Sequence, residues 1–117
     1  MTTEIPPQVQ HQLAQLQQVQ QQAQALATQK AQVTSALNET EMALDELDKL
    51  DDDAVIYRNV GQLLIRSDRD TVKEDLAEKK ETMKLRVSTL ERQEERIGKR
   101  FQQLQEQLRN AIGGGMA

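Results

Sequence analysis

Residues 51–68 read DDDAVIYRNVGQLLIRSD, and the fold turns on them because they interrupt two long stretches of quite different character. β-Branched and aromatic residues stand at 55–57 and apolar residues at 63–65, on either side of Gly61-Gln62. A Gly-X pair between two such runs suits a two-residue type II′ hairpin turn. The spacing predicts strands over about 54–60 and 63–67. With that turn Val60 faces Leu63 and Arg58 faces Ile65, so Arg58, Val60, Leu63 and Ile65 share one face. Val55, Tyr57, Asn59, Leu64 and Arg66 share the other. Both faces carry apolar side chains and both strands are edges, yet an isolated two-stranded ribbon is marginal in water. A short polar loop would close a helical hairpin more simply. The residues Val55, Ile56, Tyr57, Val60, Gly61, Leu63, Leu64 and Ile65 are therefore expected to pair with hairpins of other chains in a closed β assembly.

Upstream, Pro6 and Pro7 fix an extended lead-in, and neither Gly nor Pro recurs before Gly61. One helix is predicted over 8–50. Its seam columns are Leu16, Ala23, Lys30, Leu37, Leu44 and Val19, Leu26, Val33, Thr40, Leu47, and the pattern extends upstream through Val9 and Ile5. A 3.5-residue repeat sustained over several heptads predicts a coiled coil, with Lys30 and Thr40 as register devices or snorkelling side chains in the seam.

Downstream, a second helix is predicted over 71–112, opened by the capping-box spacing of Thr71 and Glu74, with Asp68 and Asp70 at its positive end. Its columns are Leu76, Met83, Leu90, Ile97, Leu104, Ala111 and Lys80, Val87, Glu94, Phe101, Leu108. Asp75 with Lys79 and Glu95 with Lys99 have the i,i+4 spacing of supporting ion pairs. Gly98 costs the helix about 1 kcal/mol relative to Ala, and residues 113–117 are expected to form a flexible tail. The fold class is thus mainly α: a long antiparallel two-helix coiled coil, one domain over 1–117, with a central β-hairpin that joins a closed oligomeric β assembly.

Composition agrees. There is one Phe, one Tyr and no Trp in 117 residues, which favours elongated helices over a compact core. Residues 1–53 hold nine acids against two bases and residues 54–117 ten acids against thirteen bases, so the two halves attract. This balance gives no cationic stripe and no stacking aromatics for nucleic acid. No cysteine is present, so neither disulfides nor thiolate metal sites arise and a cytoplasmic location is expected. No apolar run approaches the ~20 residues of a membrane span, and MTTEIPPQVQ lacks the basic and apolar regions of a signal peptide, so the chain is expected to act as it stands.

Catalytic chemistry is missing. His11 has no ligand partner at metal spacing, and Asp51 to Asp53 lack the alternating oxygen ligands of an EF-hand. Gly113 to Gly115 precede no helix that could cradle phosphate, and no Ser or Cys has a base at useful spacing. Neither enzyme activity nor any cofactor is expected.

Several motifs together resemble the prefoldin family, in particular the β-type subunits of archaea, over essentially the whole chain. They are the Gln-rich VQHQLAQL of 9–16 running into QQQAQ of 20–24, LNET of 37–40, DDAVIYRNVG of 52–61, LIR of 64–66 and LERQEER of 90–96. A single hairpin fits the β type, since α-type members carry two. The resemblance implies a hexamer of two α-type and four β-type subunits, with a β-barrel body and six coiled-coil tentacles. It also implies ATP-independent binding of non-native polypeptides and their delivery to a group II chaperonin. A helix of about 45 residues is roughly 65 to 70 Å long, enough reach to surround an unfolded chain. At the tips, Ile5, Val9, Leu13 and Leu16 lie opposite Leu104, Leu108 and Ile112, and these are the expected client or chaperonin contacts, Leu13 above all because it lies beside the seam. The alternative is a coiled-coil tether or scaffold that never handles unfolded chains.

Overall fold

The computed structural model describes residues 5–115. Four elements follow in order: α1 (Pro7–Asp48), β1 (Ile56–Val60), β2 (Leu63–Ser67) and α2 (Arg69–Gly115). The expected class, two long helices with a central antiparallel hairpin, is what the chain adopts. The helix ends differ in detail. Pro7 is the first residue of α1, where its fixed φ is already helical and its missing N–H costs nothing. At the other end α1 stops at Asp48 and not at residue 50: the amides of Lys49 and Leu50 donate to Glu46 and Leu47 at 3.2 Å, a tightened last turn.

The start of α2 also departs from expectation. Asp68, not Thr71, is the capping residue. Its carboxylate accepts from the Thr71 amide at 2.8 Å and from the Thr71 hydroxyl at 2.9 Å, so the helix begins at Arg69. At its far end α2 continues through Gly115, so Gly113 to Gly115 are helical and not part of a tail; residues 116 and 117 lie outside the described residues.

The chain divides into two compact units, one formed by the residues up to Lys30 with those from Thr89 onward, the other by Ala31–Ser88. In the first, α1 and α2 pack antiparallel: Lys30 meets Glu91 and Glu94, while Gln20 and Ala23, earlier in α1, share a groove with the later residues Gly98 and Phe101 of α2. Val19, Leu90 and Leu104 are the buried centres, and Leu16, Ala23, Leu26, Ile97, Phe101, Leu108 and Ala111 complete the seam at partial burial.

In the second unit, Leu47 and Met83 are buried, with Val33, Leu37, Leu44, Leu76 and Val87 alongside. Thr40 is buried too, and its hydroxyl donates to the Ala36 carbonyl at 2.9 Å, which is how a polar residue sits in an apolar seam without an unmet hydrogen bond. The hairpin belongs to this unit. Its register is Val60 opposite Leu63, Arg58 opposite Ile65 and Ile56 opposite Ser67, as the turn spacing predicts. Gly61 has φ of 59° and no non-Gly described residue has positive φ, the pattern of a type II′ turn and not of a type I′, which would need Gln62 left-handed as well.

Candidate assembly and client-contact surfaces

The hairpin has no cover of its own. Tyr57 and Leu64 on one face are 60% and 71% exposed, and Val60, Leu63 and Ile65 on the other are exposed as well, with Val55 just before the strand. Only Ile56 and Ser67, paired at the base, are partly shielded. Among the described residues the sheet has two strands, so both outer edges carry unpaired backbone groups. Six large apolar side chains of this kind represent on the order of 10 kcal/mol if fully buried. That is comparable to the entropic cost of association, so burial on this scale is able to drive assembly.

Three ion pairs and one charged hydrogen bond organise the second unit around the hairpin's base. Arg69 donates to the Leu50 carbonyl at 2.7 Å and pairs with Asp52 at 2.6 Å, tying the loop after α1 to the first residue of α2. Lys73 meets Asp48 at 2.6 Å and holds its carboxyl below the usual carboxylate range, first through the hydrogen bond and then through its charge. Arg58 on β1 meets Asp75 on α2 at 2.8 Å. The expected Asp75–Lys79 pair is therefore replaced by a contact between elements, while Glu95 and Lys99 do pair, at 3.6 Å. Two of the three loop acids behave as an acidic turn: the Ala54 amide donates to the Asp51 carbonyl at 3.0 Å and Asp52 binds Arg69. Among the described residues no group of acids, His or Cys is arranged to hold a metal ion.

The other candidate residues all lie in the first unit. Ile5, Leu13 and Ile112 are exposed, Val9, Leu16 and Leu108 half-buried, and Leu104 is buried in the seam. The first three are free to touch another molecule, the next three only in part, and Leu104 is a packing residue. Sequence reading missed Gln12. It occupies the seam column seven residues before Val19, it is half-buried, and its amide oxygen has no hydrogen-bond partner. A buried unpaired acceptor costs about 1–3 kcal/mol, so packing at the beginning of α1 is weakened there. The column from Val19 up to Ile5 passes through it.

Farther along the same unit the seam thins where Ala23 is small and Gly98 has no side chain. Grooves of about 440 Å³ and about 240 Å³ flank it, the larger lined by Ala25, Leu26 and Ile97 between Gln22, Gln29 and Gln93, with Arg96. From Ile5 to Gln29 the sequence has no Asp, Glu, Lys or Arg, so apart from His11 and Thr28 this stretch presents amides and apolar side chains.

Two continuous heptad helices joined by one uncovered hairpin define a class of coiled-coil subunits built to join a larger assembly. The sequence matches the Prefoldin subunit family over residues 10–115. It is 63% identical over 113 residues to prefoldin subunit beta of Methanococcoides burtonii, covering 97% of each chain. It is 55% identical over 113 residues to that of Methanosarcina acetivorans, again covering 97% of each, and 43% identical over 108 residues to that of Pyrococcus furiosus, covering 92% of each. The crystal structure of the prefoldin beta subunit from Thermococcus strain KS-1 superposes with a TM-score of 0.86 at 42% identity, covering 94% of this chain and 96% of that one. The chain belongs to the prefoldin family, among its β-type subunits. Prefoldin subunits are non-enzymatic chaperone components that assemble with other prefoldin subunits. No helix among the described residues is long and apolar enough to cross a membrane.

Proposed function

We propose that this chain acts in the cytoplasm as one of four β-type subunits that join two α-type subunits in a hexamer. The hexamer holds non-native polypeptides without ATP and passes them to a group II chaperonin. The observation that carries this reading is the uncovered hairpin, whose apolar faces and two free edges need sister strands. Assembly through Val55, Ile56, Tyr57, Val60, Leu63, Leu64 and Ile65, with Gly61 setting the turn, gives them that cover. Client contact falls to the exposed Ile5, Leu13 and Ile112, assisted by Val9, Leu16 and Leu108 where the seam opens.

Affinity follows from the same residues. Each such side chain gains about 1.5–3 kcal/mol when fully buried and a client covers it only partly, so one helix pair binds weakly. Several pairs acting together hold firmly and still release stepwise. Neither nucleic acid nor membrane has a part in this scheme.

The test mixes the chain with an α-type subunit, verifies the hexamer by native mass spectrometry, and adds a chemically denatured enzyme without nucleotide. Suppressed aggregation, followed by recovery of enzyme activity once a group II chaperonin and ATP are supplied, is the expected result. A tether that joins two partners would instead stay at low oligomer number and leave aggregation unchanged. A fully assembled hexamer that remains inert at several-fold molar excess overturns the chaperone reading.

A further inference from the structure

Hairpin direction, as distinct from hairpin stickiness, is a separate requirement for assembly. The ribbon is anchored at its base by the Asp51–Ala54 turn and by the Asp68 cap, and shielding ends at the Ile56–Ser67 pair. Beyond that pair, its five remaining apolar side chains from Tyr57 to Ile65 are all exposed and offer no packing that could fix its angle. The contact that reaches beyond the base is Arg58 to Asp75 at 2.8 Å, and among the described residues it is the one ion pair between the hairpin and a helix. Arg58 stands on the same face as Val60, Leu63 and Ile65, so its attachment to α2 also decides which face of the ribbon turns toward the helix and which turns away.

We infer that Arg58 and Asp75 are positioning residues for assembly: the pair holds the hairpin at the angle in which sister hairpins can close around it. The inference rests on the hairpin-assembly reading above. Both side chains are 45% exposed, so within one chain the pair is weak, worth about a 1.5- to 5-fold change in an equilibrium. A closed assembly multiplies that weakness, because every copy must present its ribbon correctly at once. About threefold per copy compounds to about 100-fold over four copies. The ends of α1 and α2 are fastened separately by Asp48–Lys73 and by Arg69, so losing the pair frees the ribbon without unfolding the helices.

The experiment compares Arg58→Glu, Asp75→Arg and the exchanged double variant with the parent chain. Each is titrated with an α-type subunit and the hexamer counted by native mass spectrometry, with helicity followed by circular dichroism. Each single variant is expected to lower the equilibrium constant for hexamer formation 10- to 100-fold with helicity unchanged, and the exchanged pair to return it to within about threefold of the parent. Raising salt from about 0.05 M to about 0.5 M should weaken parent assembly in the same sense. Singles that assemble like the parent overturn the inference, and so does an exchanged pair as impaired as Arg58→Glu. Leu64→Asp separates this from the reading beneath it: if that variant assembles normally, the hairpin is not the assembly surface and both proposals fall.

Discussion

Lys30 Nζ lies 3.1 Å from Glu94 Oε1, so the one base in the seam of α1 meets the one acid in the seam of α2. Two charged breaks in largely apolar columns thus face each other, with Glu91 within 4.0 Å of the same ammonium. Sliding either helix by a heptad would strand both charges against apolar neighbours, which makes the pair a register mark.

Lys30→Glu places a third carboxylate beside Glu91 and Glu94. Because both partners are about one-third exposed, the loss should be about 1–2 kcal/mol and not the larger cost of a deeply buried pair. The exchange Lys30→Glu with Glu94→Lys should recover most of it, and Lys30→Leu with Glu94→Leu should equal or exceed the parent chain. Urea unfolding followed by far-ultraviolet circular dichroism measures all three; a Lys30→Glu chain as stable as the parent would remove the register role.

Gly61 and Gly98 should respond oppositely to alanine. Neither position has an atom within 4 Å of an added Cβ, so space decides nothing. Gly61 has φ of 59°, where a Cβ is strained, and Gly61→Ala should destabilise the turn by about 1–2 kcal/mol and speed hydrogen exchange at Val60 and Leu63. Gly98 is helical, so Gly98→Ala should stabilise α2 by about 1 kcal/mol, read as a higher melting temperature.

Acid should loosen the second unit first. The Asp68 carboxyl is held low by its hydrogen bonds from the Thr71 amide and hydroxyl, and that of Asp48 by Lys73. A folded value below the unfolded one, about 3.9 for Asp, contributes stability that is complete above that value and disappears as pH falls through the folded value. Helicity should therefore decline below about pH 4. Asp68→Asn, which keeps a capping oxygen without the charge, should flatten that decline; an unchanged acid profile would show that the cap plays no part in it.

Leu13→Ser should leave helicity and hexamer yield unchanged, since Leu13 lies outside the seam and is 41% exposed. Capture of a denatured enzyme should weaken severalfold once every β-type copy carries the change. Light scattering during refolding measures it, and undiminished capture would move the contact elsewhere.

The α2 seam was legible residue by residue: from Leu76 to Ala111 every described position that is not exposed falls in the two columns read from the heptad. Leucines spaced by 3.5 residues bury wherever a second helix of the same period is available. The hairpin register followed from Gly61 for an equally local reason. What escaped reading depends on elements distant in sequence. Asp75 leaves Lys79 for Arg58 because β1 brings a guanidinium nearer, and Arg69 finds Asp52 and the Leu50 carbonyl only once the loop has folded. The cap moved from Thr71 to Asp68 because both residues suit the role, and the carboxylate, placed first, takes the amide. Exposure at Leu13 and Ile112 was foreseeable because both fall outside the columns, whereas that of Ile5, which lies in one, and the unpaired amide oxygen of Gln12 become visible only in three dimensions.

A ribbon with bare apolar faces also sets a condition on supply. Copies made in excess of their companions have nowhere to put Tyr57, Val60 and Leu64 except against one another, in whatever geometry chance provides. A chain made without its companions is therefore expected to self-associate through these faces, and production matched to theirs would spare it that fate.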